Sequence, residues 1–85
     1  MGNVEIFEII KEIMIDELEI DGDVISINIK LQDMGIDSIQ LMTLVVYIEE
    51  KLEIEIDFDE SWPIEITSIT LEDFIRNISK VLQKF

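Results

Sequence analysis

"DSIQLMTLVVYIEEKL", Asp37 to Leu52, decides how the rest of the chain folds. Asp37 is a good helix N-cap, and Gln40 three residues later completes a capping box, with each side chain positioned to serve the other residue's backbone N–H. Ser38 then takes the first helical position. Placed at about 100° per residue, Leu41, Leu44, Val45, Ile48 and Leu52 gather on one side, and Ile39, Met42 and Val46 fall roughly opposite. A helix on the surface of a small domain cannot bury both faces within it. The smaller set, Ile39, Met42 and Val46, is therefore expected to face solvent as a docking stripe.

Ser38 stands where unpaired N–H groups and the helix dipole favour an anion. A serine nucleophile needs a base within reach. The chain has no histidine, Asp37 is occupied by the cap, and the nearest lysines are distant in sequence, so catalysis by Ser38 is disfavoured. A phosphodiester on its oxygen would rest in a favourable field. From position alone, an ordinary helix-start serine is the commoner case.

Working outward, 85 residues make one domain, 1–85, and 48% apolar content is enough for a core. The absence of cysteine removes disulfides and thiol ligands, and the absence of histidine removes the commonest transition-metal ligand. Twenty acids against six bases give a net charge of -14. That argues against nucleic acid and anionic membranes, which want basic surfaces, and for partners that present basic patches. Charges interrupt every apolar run well before the roughly 20 residues a membrane helix needs. The N-terminus lacks a basic leader, and Ile6 stands where a myristoylation motif wants Ser or Thr. A free-standing cytoplasmic monomer is the expectation.

Asn3 can cap a first helix running to about Leu18, with Ile6, Ile9, Ile10 and Ile13 inside and Phe7 and Met14 beside them. Thr70 and Asp73 resemble a capping box for a last helix carrying Leu71, Phe74, Ile75, Ile78 and Leu82. Lys80 and Lys84 suit its C-terminal dipole. Between these helices "VISINIKL" and "LEIEIDF" alternate apolar and polar residues, which by period alone means strands and an α+β fold.

"LQDMGIDSIQLMTLVVYIEEKLEIEI" resembles the signature of acyl and peptidyl carrier proteins: a leucine, then Gly-x-Asp-Ser-Ile, then an amphipathic helix ending in acids. The likeness runs without a gap from Leu31 to Ile56 and more loosely over the whole chain. It implies an all-α fold, a small bundle of three main helices with a short helix before the last. The long loop after helix 1 would be Glu19 to Gly35. The alternating segments would be extended loops packing isoleucines onto the bundle, "DFDESW" would supply the short helix, and Trp62 would pack.

The resemblance also implies that Ser38 is the attachment point of 4'-phosphopantetheine, moved from coenzyme A by a Mg-dependent phosphopantetheinyl transferase. The arm's thiol would carry cargo as a thioester, so the chain is a shuttle and not an enzyme. Asp37 matches the motif, Ile39, Met42 and Val46 match partner-docking positions, and Glu49 and Glu50 match the distal acids that meet basic patches on acyl- or aminoacyl-loading, condensing and modifying enzymes. Fatty-acid-synthesis carriers usually bear acids where this chain has Gln40 and Thr43. The likeness is thus greater to carriers of polyketide and nonribosomal peptide assembly, with a fatty-acid carrier as the alternative.

Two other classes compete. "ELEIDGDVISIN" puts Glu17, Glu19, Asp21 and Asp23 at calcium-loop positions, but Asn28 stands where a bidentate glutamate is needed, so no metal site is expected. An acidic interaction domain with an unmodified Ser38 is the other.

Overall fold

The computed structural model describes residues 2–57, 62 and 65–83. Within them lie three α-helices: α1 (Asn3–Asp16), α2 (Ser38–Leu52) and α3 (Leu71–Leu82). Short 3-10 turns occupy Gly22–Val24, Leu31–Met34 and Ile66–Ser68. α1 packs against both α2 and α3, and the turn at Leu31–Met34 packs against that at Ile66–Ser68.

The three apolar stripes form the centre of the core, and residues of the connecting segments complete it. Ile6, Ile10 and Met14 of α1, Leu41, Leu44 and Ile48 of α2, and Leu71, Phe74 and Ile78 of α3 are fully buried. Each such side chain contributes about 1.5–3 kcal/mol relative to exposure. Met14 takes the inner place expected of Ile9, which is only partly buried. Trp62 is buried with its ring centroid 5.7 Å from that of Phe74. Packing is thus its role.

Two details of α1 differ from expectation. Asn3 does not cap it: Gly2 is the N-cap, without a side-chain hydrogen bond, and Asn3 is the first helical residue. The helix also stops at Asp16 rather than Leu18. Thr70 does cap α3, its hydroxyl accepting from Asp73 N–H at 3.2 Å, while the Asp73 carboxylate meets Arg76 instead of closing a box.

Neither alternating segment forms a strand among the described residues, so the α+β alternative fails. The loop between α1 and α2 pairs with the chain entering α3: Leu31 N–H donates to Ile69 O, Leu71 N–H to Ile29 O, and Glu72 N–H to Ile27 O. Only one isolated bridge, Lys30 with Thr70, results. A ladder cannot extend because its second edge becomes α3 at Leu71. Of the isoleucines expected to pack, Ile25 is buried and Ile29 partly so, but Ile27 stays exposed.

In the second segment Glu53 takes a left-handed conformation at the end of α2. Ile54 and Ile56 then turn into the core, and Glu55 points out. The period of two is real, but what it records is an extended chain lying on helices. The short helix expected over 57–62 falls largely outside the described residues, as does Lys84; Asp57 and Trp62 themselves are not helical.

Candidate functional site: the start of α2 and its outer face

Three consecutive residues, Gly35 to Asp37, aim the chain into α2. Gly35, at φ 85°, turns it out of the Leu31–Met34 turn in the left-handed region that glycine tolerates best. Ile36 is buried, as is Leu41 five residues on, the pair of positions a hydrophobic staple joins. Asp37 accepts from Gln40 N–H at 2.8 Å, and Gln40 Oε1 accepts from Asp37 N–H at 3.4 Å. The capping box read from the sequence is therefore present.

Ser38 follows as the first residue of α2, exposed, its hydroxyl making no hydrogen bond within the described residues. The cap supplies an acceptor for Gln40 N–H, and Leu41 N–H bonds to Asp37 O. The N–H groups of Ser38 and Ile39 are left without an acceptor in the described chain. Such donors suit an anion, and they flank the free hydroxyl. These residues fit a phosphodiester carried on Ser38 Oγ. They do not fit a nucleophile for hydrolysis, because Asp37 is committed to the cap.

The outer face of α2 is as its spacing demanded. Ile39 is 79% exposed, Met42 54% and Val46 49%, while Leu41, Leu44, Val45 and Ile48 are buried. With Ser38 and Thr43 the three apolar residues line one shallow depression. Thr43 turns its hydroxyl to Ile39 O at 3.2 Å, which leaves its methyl to the surface. From Ser38 through Ile48 the helix carries no charge at all.

The two distal acids are not equivalent. Glu50 is exposed, whereas Glu49 is half-buried and its Oε2 accepts from Ile56 N–H at 3.0 Å. Glu49 thus pins the segment after α2 back onto the helix, a duty the sequence reading missed. No spacing rule within α2 could reveal it, because the donor lies seven residues away outside the helix.

A second link was also missed. Tyr47 of α2 and Glu17 at the end of α1 line one depression, so the two helices meet there. Interaction of its hydroxyl with the Glu17 carboxylate, the Glu17 charge, partial burial and the Glu50 charge together raise the Tyr47 pKa above the ordinary 10.0. In the loop once weighed for calcium, Asp21 Oδ1 accepts from Asp23 N–H at 3.0 Å. No three acids are grouped to hold a metal ion among the described residues.

With this geometry in place, similarity to known proteins becomes informative. The sequence profile described as phosphopantetheine attachment site matches residues 8–62, which take in all of α2. The chain belongs to this family of acyl carrier proteins. It is 32% identical to the acyl carrier protein of Campylobacter lari over 77 residues, 88% of this chain and 97% of that one. Against the acyl carrier protein of Campylobacter jejuni strain RM1221 it is 34% identical over 76 residues, 87% and 96% of the two chains. For that of Campylobacter hominis the figures are 31% over 81 residues, 91% and 98%.

Membership makes the chain a carrier and not a catalyst, with a covalently attached 4'-phosphopantetheine as its prosthetic group. Its partners are accordingly a phosphopantetheinyl transferase and enzymes that handle acyl groups. No helix among the described residues is long and apolar enough to cross a membrane.

Proposed function

We propose that the 4'-phosphopantetheine arm is attached to Ser38 and that partners grip the carrier by Ile39, Met42 and Val46, with Glu50 and the free edge of Glu49 meeting basic groups beyond. One observation carries this. The only hydroxyl at the start of α2 is exposed, lies beside two unpaired backbone N–H groups, and borders an uncharged apolar stripe. When bound, the arm supplies a thiol on which cargo rides as a thioester. The chain's own residues do the rest. Asp37 and Gln40 hold the helix start, the Ser38 and Ile39 amides face the phosphate, and the stripe orients the carrier on an enzyme.

Charge supports one reading of the cargo pathway. Gln40 and Thr43 leave the surface next to Ser38 neutral, so an enzyme that docks there through a basic patch gains nothing from those positions. This supports a carrier of polyketide, nonribosomal peptide or related specialised biosynthesis over one of fatty-acid synthesis. A net charge of -14 opposes self-association, which supports a monomer, and the reading places it in the cytoplasm, where coenzyme A would donate the arm.

The test is incubation with coenzyme A, Mg²⁺ and a broad-specificity phosphopantetheinyl transferase. The intact mass should rise by one phosphopantetheine, and Ser38→Ala should abolish the gain. An unchanged mass under conditions that load other carriers removes the proposal.

A further inference from the structure

The depression on the outer face of α2 is built from two rows of the helix. Ser38, Met42 and Val46 stand at i, i+4 and i+8, and Ile39 and Thr43 form the row beside them. The space they line is ≈ 440 Å³. Thr43 spends its hydroxyl on Ile39 O at 3.2 Å, so Ser38 is the one wall residue with a free polar group. Neither row carries a charge, and the first acids of α2, Glu49 and Glu50, lie beyond Val46.

What covers this face is decided by where it begins. Ser38 is itself part of the wall, so on the reading that it carries the arm, the depression starts at the arm's own anchor. From phosphate to thiol the arm is as long as roughly four residues of extended chain, about 13–14 Å. From Ser38 to Val46 the rows run about 12 Å at a rise of about 1.5 Å per residue. The lengths agree, and so does the chemistry. Past its phosphate the arm is uncharged: a carbon bearing two methyl groups, a hydroxyl, two amides with methylene pairs, and the thiol. The depression is open, with Ile39 79% exposed and Met42 54%, so the amides stay wet while methyls and methylenes lie on apolar side chains.

We propose that, between visits to enzymes, these two rows hold the arm itself, Ile39 and Met42 against its dimethyl carbon and Met42, Thr43 and Val46 along its methylenes. The proposal deepens the attachment at Ser38 and rests on it. A short tether gives a millimolar effective concentration, so a contact of millimolar intrinsic affinity is filled about half the time. The stripe that rests the arm is also the one proposed to grip partners. An enzyme that docks there takes the arm's place, and docking and release of the arm become one event.

The test is solution NMR of the full chain before and after loading, with intact mass confirming that loading is complete. Amide shift differences should run through Met42, Thr43 and Val46, with nuclear Overhauser contacts from the arm's methyl groups to the Ile39 and Met42 side chains, all unchanged on dilution. Met42→Asp, loaded to completion by longer incubation, should lose the methyl contacts and the shift difference at Val46. Differences confined to Ser38 and its immediate neighbours would overturn the proposal. So would contacts from the arm to the buried Leu44 or Phe74, contacts that fade on dilution, or a Met42→Asp variant that keeps them all. An unchanged mass would remove the attachment at Ser38 together with this proposal, whereas full loading without the contacts removes this proposal alone.

Discussion

Replacing Glu49 by alanine separates anchoring from docking at the end of α2. Its Oε2 is the acceptor for Ile56 N–H at 3.0 Å, in a part-buried position where Ile54 and Ile56 turn into the core. Truncation leaves that amide without a partner, a loss of about 1–3 kcal/mol. Glu49 is half-buried, so water can reach the gap, and the lower part of that range, about 1–2 kcal/mol, applies. In a domain of this size each kcal/mol moves Tm by about 4–8 °C, giving a fall of about 4–16 °C. Glu49→Gln keeps an oxygen but not the charge, and should lose about half as much, since charge-assisted bonds are roughly twice as strong. Glu50→Gln removes the same charge from an exposed position and should stay within about 0.5 kcal/mol of the parent. Thermal unfolding followed by circular dichroism measures all three, and hydrogen exchange at Ile56 should accelerate in Glu49→Ala alone. Equal stability of Glu49→Ala and Glu50→Gln would refute the anchoring role and return both acids to docking.

Met42→Asp, at a position 54% exposed, should lower transferase and partner turnover while changing stability by no more than about 0.5 kcal/mol; a large drop in Tm would place Met42 in the core. Glu53 ends α2 at φ 55°, where a side chain costs about 1–2 kcal/mol, so Glu53→Gly should raise the denaturant midpoint by about 1 kcal/mol of stability. Tyr47, the sole tyrosine, should ionise above pH 10 in an ultraviolet titration, and Glu17→Ala should bring its midpoint back toward that of a free tyrosine. Because its folded pKa is raised, its stabilisation is complete below about pH 10 and is lost as pH climbs through the folded value, so Tyr47→Phe should matter at neutral pH and cease to matter in strong alkali.

What could be read from the sequence was whatever a single element decides for itself. α2 is the clearest case: its cap, its buried face and its exposed stripe are all matters of spacing along one helix. α3 was equally plain apart from the role of Asp73. The failures lie where two segments must be known together. Ile25 to Leu31 alternates as a strand does, yet the chain it bonds to, Ile69–Glu72, turns helical within two residues and leaves a single bridge among the described residues. Glu49 reads as a docking acid of α2, and Tyr47 draws no reading at all, because the groups they meet, Ile56 N–H and the Glu17 carboxylate, belong to other segments. Asn3 has the right chemistry for a cap one position too late.

Around the proposed attachment point, the side chains can be sorted by what the fold requires of them. Gly35 supplies a left-handed turn, Ile36 goes into the core, Asp37 and Gln40 close the box, and Leu41 packs beneath. Each has a structural reason to be the residue it is. Ser38 has none: its hydroxyl bonds to nothing in the described chain, and serine is no better than alanine inside a helix. Alanine at this position should therefore leave α2 and the bundle as stable as before. That makes Ser38→Ala a clean probe, since any loss of loading it causes is a loss of chemistry at one oxygen and not of the helix that presents it.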